Sequence, residues 1–308
     1  MAKFRKNHTR NKNPFVGLSI RVFLMIAIAI VLFFIGRRGF NDARSNNSNG
    51  ANGSSINVEF EDYDRAYIIP KSDRTDIEVI NHKYYSLGYV EKYEQPAWVS
   101  YVLNKSELAI PNVKRHDRFL EDPDVSSSSA NYYDYRGSGY SRGHMAPAGD
   151  MAFNKEAMRE SFYMSNMSPQ LIPFNGGIWR ELEGTVRDWA YKNERLYVIT
   201  GPILDDIDGY IGDKNRVAVP KQYYKAIVDL DNPDRKGIAF IMDNEVSTRP
   251  IMDYAVTIDE LEKVLHMELF DELMEDGIEQ EVEGKINIRS WPVSKKRYQQ
   301  RMDHWNNN

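Results

Sequence analysis

Cysteine is missing altogether from this chain of 308 residues, which removes disulfides, thiolate catalysis and cysteine-bound zinc from consideration. Histidine is scarce, six in all, and none stands in an H-E-x-x-H or other zinc spacing, so a zinc hydrolase has nothing to stand on. No internal repeat occurs, which excludes a solenoid. Apart from one stretch near the N-terminus there is no long hydrophobic run.

Basic charge is also lacking over most of the length. Residues 1–44 hold nine Lys/Arg and one acid, leaving 31 basic and 44 acidic residues for the remainder. The basic end brackets FVGLSIRVFLMIAIAIVLFFIG, residues 15–36, broken only by Arg21. As a helix this segment reaches about 33 Å, enough for a bilayer core if Arg21 snorkels to the interface. A cleaved signal peptide competes, but Arg37 and Arg38 follow at once and no A-x-A-like site appears, which favours an uncleaved anchor. The division expected is a basic cytoplasmic tail (1–14), a transmembrane anchor (15–36), a flexible Asn/Gly/Ser-rich tether (37–58) and a folded domain (59–308). The lysine and arginine excess ahead of the span puts the N-terminus in the cytoplasm and the body outside, in a periplasmic or extracellular setting.

Within the body, HKYYSLGYV, AWVSYVLN, RLYVITGPIL, QYYKAIVDL and GIAFIMDN are aromatic and β-branched runs bounded by turn residues, as strands should be. Between them, Ile178, Leu182, Val186 and Trp189 recur at helical spacing, and TIDELEKVLHMELFDELME repeats the pattern with Leu261, Val264, Leu265 and Leu269. Thr257 followed by Glu260 predicts a capping-box start. The fold class is α+β, ending in a polar tail, HWNNN.

The residues able to do chemistry are few. Arg142 and His144 stand in the glycine-containing YSRGHMAPAGDM, and Asn166, Asn175 and Glu183 follow within about forty residues. Phosphodiester hydrolysis asks for a base to take a proton from water, a cation on the phosphoryl oxygens and a metal held mainly by oxygen. His, Arg, Asn and Glu are those groups. Mg²⁺ keeps several waters, so Asn175 as a direct ligand with Glu183 ordering metal-bound water is easier than two direct ligands eight positions apart. Each residue has a plainer reading: a lone histidine is usually structural, Asn175-Gly176-Gly177 is by default a turn and helix N-cap, and Glu183 a solvated helix position.

The run YSRGHMAPAGDM…ESFYMSNMSPQLIPFNGGIWRELE…LYVITGPI resembles the DNA/RNA non-specific endonucleases of the ββα-metal superfamily, which include endonuclease G-like enzymes. The likeness extends upstream through YYSLGYVEKYEQPAWVSYVL and RHDRFLEDP and downstream through VPKQYYKAIVDL and VTIDELEKV, covering roughly residues 65–285. It implies a central antiparallel sheet flanked by helices and a metal-dependent nuclease acting on DNA and/or RNA with little sequence preference.

Position by position, the resemblance implies His144 as general base, Arg142 as a phosphate or transition-state contact, Asn166 as a supporting residue, Asn175 as the direct metal ligand and Glu183 as the residue ordering water on the metal. Arg115 matches an upstream phosphate contact, with Arg118 competing. One Mg²⁺ (or Mn²⁺) per site is implied, and a homodimer is left open. Ser141 departs from the D-R-G-H signature, although mitochondrial exonuclease-like relatives also read S-R-G-H. That departure and the acidic body favour an alternative, a catalytically weak or inactive nucleic-acid-binding surface protein of the same fold.

Overall fold

Side chains along Gln222–Asp229 point alternately into two apolar clusters, Tyr223 and Ile227 into one, Tyr224, Ala226 and Val228 into the other. That period of two marks a strand covered on both faces. In chain order the strands that matter here are Glu78–Asn81 (β1), Ser86–Val90 (β2), Gln95–Asn104 (β3), Tyr140–His144 (β4), Met167–Leu171 (β5), Arg195–Pro202 (β6), Gln222–Asp229 (β7), Lys236–Asp243 (β8) and Ala255–Val256 (β9). Seven of them form one antiparallel sheet in the order β9-β8-β7-β6-β3-β2-β1, so the expected central antiparallel sheet is present, with each sequence-read strand inside it. The computed structural model describes residues 68–231 and 235–307. The tail, anchor and tether expected over 1–58 lie outside them, and among the described residues no helix is long and apolar enough to cross a membrane.

Each face of the sheet is covered differently. One cluster joins Val99, Tyr101, Val198 and Ile227 to Leu182, Val186 and Trp189 from the helix Arg180–Asn193 and to Ile178 from the turn just before it. All four helical positions read from the sequence are buried, at 1% exposure or less. The opposite cluster joins Trp98, Ile199 and Tyr224 to Ile258, Leu261 and Leu265 of Ile258–Leu265, with Val282 of Asp276–Glu283. The helices Lys155–Glu160, Arg180–Asn193, Ile258–Leu265, Asp276–Glu283 and Lys295–Asp303 are here α1 to α5.

The predicted capping box is formed, with Glu260 N donating to Thr257 Oγ1 (3.1 Å) and Thr257 N to Glu260 Oε2 (2.8 Å). The helix is shorter than the pattern implied. It ends at Leu265 because His266 adopts a left-handed conformation, φ 53°, after which Met267–Glu268 pairs with Lys71–Ser72 as a short strand. Leu269 is therefore buried from outside the helix, and Val264 is 42% exposed rather than core. α4 and α5 gave no comparable periodic signal.

β4 and β5 stand apart from the sheet as an antiparallel pair, Tyr140 opposite Leu171 and His144 opposite Met167. The chain then passes through a wide turn into α2, so two strands and a helix converge beside the large sheet.

Candidate active site

Glycine at 143 is what lets the β4–β5 pair close. A Cβ there would stand 2.1 Å from Gln170 Oε1, and Gln170 is fully buried. The turn after His144 is held by Asn166: Ala146 N donates to Asn166 Oδ1 (2.8 Å), while Nδ2 donates to Ala146 O (3.0 Å) and Ser161 O (2.8 Å). Asn166 is wholly buried with its amide saturated by backbone, so it positions His144 rather than meeting a substrate.

His144 is 9% exposed. Phe162 meets its ring edge-on at 4.8 Å and Phe119 lies 6.0 Å away. Nε2 is buried without a hydrogen-bond partner among the described residues. Burial above all, then the positive charges of Arg115 and Arg142 against the opposing Asp117, lowers the imidazole to about 3. The ring is neutral at physiological pH, as a proton acceptor must be.

Two residues back on the same strand face, Arg142 lays its guanidinium between Phe119 (4.4 Å) and Tyr132 (4.5 Å). Its Nε is likewise buried without a partner. Arg115 is exposed, bonds Asp117 through Nε at 2.8 Å and sits 5.0 Å from the Phe162 ring. Its charge is felt at both His144 and Glu183. Arg118 is exposed and shares none of these contacts among the described residues, so of the two arginines Arg115 faces the site.

Ser141 links both halves. Its hydroxyl donates to Gln170 O (2.9 Å) and accepts from Asn175 Nδ2 (2.9 Å). Asn175 is half-buried and opens a five-residue wide turn, Asn175–Trp179, in which Gly177 leaves helical geometry (φ −100°, ψ −109°). Its side chain caps no helix, contrary to the N-cap reading. With Nδ2 committed to Ser141, the amide oxygen is left as a ligand; it accepts no hydrogen bond among the described residues. Glu183, half-buried on the first turn of α2, has its carboxyl raised toward neutral by burial, opposed by Arg187 and Lys225. An amide oxygen and a carboxylate fit a hard divalent ion that keeps waters of its own.

A family model described as DNA/RNA non-specific endonuclease matches residues 64–276. The chain belongs to this family. Nuclease C1 of Cunninghamella echinulata var. echinulata is 38% identical over 205 residues, which cover 61% of this chain and 81% of that protein. The mitochondrial nuclease EXOG of Xenopus laevis is 32% identical over 225 residues, 68% of this chain and 62% of its own length. The chain thus spans about six-tenths of that relative. Among solved structures, a crystal structure of the EndoG/EndoGI complex, titled as showing the mechanism of EndoG inhibition, matches with TM-score 0.60 and 31% identity over 72% of this chain and 94% of that one.

Around Glu183 of the candidate site lies a charge network that sequence reasoning missed. Asp150 accepts from Arg187 Nη1 (2.6 Å) and from the Tyr101 hydroxyl (2.9 Å). Lys225 is fully buried, 5.0 Å from the Trp179 ring, with Nζ unpartnered among the described residues. Burial pulls its ammonium down while the Glu183 and Asp150 carboxylates hold it up. Two signals were available: Arg187 follows Glu183 by four, on one helix face, and Lys225 interrupts an otherwise apolar strand. His82, Asp122 and Asp124 also gather ligand-type atoms within 4.8 Å, but Asp122 is already engaged by His82 Nε2 (2.8 Å) and by the Ser165 hydroxyl.

Proposed function

We propose that this endonuclease-family chain is a membrane-anchored nuclease that hydrolyses phosphodiester bonds of DNA and/or RNA with little sequence specificity, using His144 as general base and one divalent ion, Mg²⁺ or Mn²⁺, on Asn175. The observation that carries the reading is the pair of buried, unpartnered nitrogens at His144 Nε2 and Arg142 Nε. Buried polar atoms are seldom left unpaired without a functional reason, and here they are the proton acceptor and cationic donor that a water and a phosphodiester would engage.

In this reading the neutral imidazole takes the proton of the attacking water. Arg142, braced between two aromatic rings, directs its planar donors at a non-bridging oxygen. Asn175, its amide turned by Ser141, would hold the ion, and Glu183 would act on it through water. When bound, a divalent ion would supply charge neutralisation at the phosphodiester. Arg115 adds positive potential at the mouth, a local substitute for the basic footprint that the acidic body lacks. Ser141 keeps the hairpin tied to Asn175, which supports turnover over the binding-only alternative.

The anchor at 15–36 and the extracytoplasmic placement of the domain belong to the same proposal and rest on the sequence pattern alone. The deciding experiment is cleavage of circular and linear DNA and of RNA by the purified full-length chain, with Mg²⁺ and with chelator. Binding without metal-dependent cleavage would replace the proposal with the binding-only alternative.

A further inference from the structure

On the opposite face of the sheet, α3 turns Ile258, Leu261 and Leu265 inward, and the spacing of Asp259 and Glu262 sets their carboxylates side by side on another flank. α4 brings Glu283 up to them. The three carboxylates each offer an oxygen, and these oxygens lie within 4.8 Å of one another. They border a cavity of about 570 Å³ to which Glu268 and Glu279 add two further acids, against only Lys263 and His266.

Glu283 makes this more than a surface cluster of acids. It is 2% exposed, yet its Oε1 has no hydrogen-bond partner among the described residues. Glu262 is half engaged, its Oε1 accepting from Leu269 N at 2.7 Å. A buried carboxylate without a donor, facing two more carboxylates, is costly unless a proton or a cation compensates it. Without a cation, burial and the neighbouring Glu262, Glu279, Asp259 and Glu268 push Glu283 up to about 9, and burial raises Glu262 to about 7. A donor set made of carboxylate oxygen alone selects a hard cation, and three carboxylates can supply the several oxygens that Ca²⁺ takes.

We propose that Asp259, Glu262 and Glu283 bind a divalent cation of the calcium class, which fastens α4 to α3 on the face of the sheet away from His144. Glu283 lies beyond the stretch that the family model matches, residues 64–276. The site is independent of the nuclease reading, since it shares no residue with it.

The test titrates CaCl₂ into the full-length chain carrying Asn175→Ala, so that the candidate catalytic ligand is absent, and follows heat of binding and melting temperature. Calcium is expected to raise the melting temperature in that background. Adding Glu283→Gln should weaken binding at least tenfold while leaving the calcium-free protein as stable or more stable, because the amide does not carry the cost of holding a proton on that buried carboxyl. Should Glu283→Gln fold poorly, Asp259→Asn, half-buried and outside the core, is expected to show the same loss of affinity. No calcium-dependent shift, or an equal shift with and without these substitutions, overturns the proposal and leaves protons as what compensates the cluster. Glu283→Gln in the otherwise unaltered chain should cleave nucleic acid at an unchanged rate in Mg²⁺. If no version of the chain cleaves but the calcium shift behaves as expected, the nuclease reading fails and this one stands.

Discussion

Asn175 donates its side-chain amide to the hydroxyl of Ser141 across 2.9 Å of space and 34 positions of sequence. The serine hydroxyl therefore orients the amide, as an aspartate could, and in the proposed reading this turns the amide oxygen toward the ion. Ser141→Ala should raise the Mg²⁺ concentration for half-maximal cleavage by roughly fivefold, the equivalent of one net hydrogen bond of about 1 kcal/mol. Ser141→Asp should keep the orientation and add charge, and so preserve or lower that concentration. An unaltered metal requirement in Ser141→Ala would remove Ser141 from the site.

His144→Ala should lose on the order of 10²- to 10⁴-fold in rate, with partial rescue by added imidazole, while His144→Gln keeps the melting temperature close to that of the parent chain. The pH profile is sharper evidence. Because the folded imidazole is lowered to about 3, kcat/KM should show no acid limb near the ordinary histidine value of about 6.5. Arg115→Ala removes one of the charges that lower it and should move the limb to higher pH. A depressed pKa also means that His144 contributes stability above about pH 6.5 and loses it as pH falls toward 3. The slope of unfolding free energy against pH in that window should be shallower in His144→Gln. An acid limb at 6.5 in the parent chain would show that the ring is solvated when it works.

Gly143→Ala removes no catalytic atom, yet its Cβ would meet the buried Gln170 at 2.1 Å. Overpacking of this kind costs about 1–3 kcal/mol, so the melting temperature should fall and cleavage with it. Unchanged melting and activity within twofold would mean that Gln170 can move aside freely.

Asn175→Ala should raise the metal requirement and lower the maximal rate, whereas Glu183→Gln should act mainly on the rate. Cleavage assayed across a Mg²⁺ series separates these effects. Equal loss of metal affinity in both would make Glu183 a direct ligand.

For topology, protease added to spheroplasts should cut the tether between Asn46 and Ser55 and release the domain. Protection of the domain would reverse the orientation read from the basic residues around 15–36.

The sheet was legible because each of its longer strands carries its own aromatic and β-branched run between turn residues, and α2 because Leu182, Val186 and Trp189, continuing from Ile178 in the turn before it, keep one face. α3 was overextended because Leu269 continues the period although the left-handed residue at 266 ends the helix. Site residues close to the glycine turn could be picked out by type and spacing. Lys225 stood out only as a lysine in an apolar strand, and its link to Asp150 and Glu183 was not legible, since it depends on strands and loops distant in sequence coming together. Nor was the aromatic clamp on Arg142, where Phe119 and Tyr132 arrive from a segment without periodicity.

The polar tail expected at residues 304–308 is, in part, masonry. Trp305 is 9% exposed with the Arg180 guanidinium 4.3 Å from its ring. Asn306 Nδ2 donates to Ser247 O (2.8 Å), and its Oδ1 lies 2.7 Å from where a Cβ on Gly177 would be. The turn Trp305–Asn307 thus wedges the bend that carries Asn175, and it does so at the point where Gly177 departs from helical geometry. A purification tag or reporter joined directly after residue 308 would pull on that wedge, so a weakly active fusion would report on its own attachment point as much as on the enzyme.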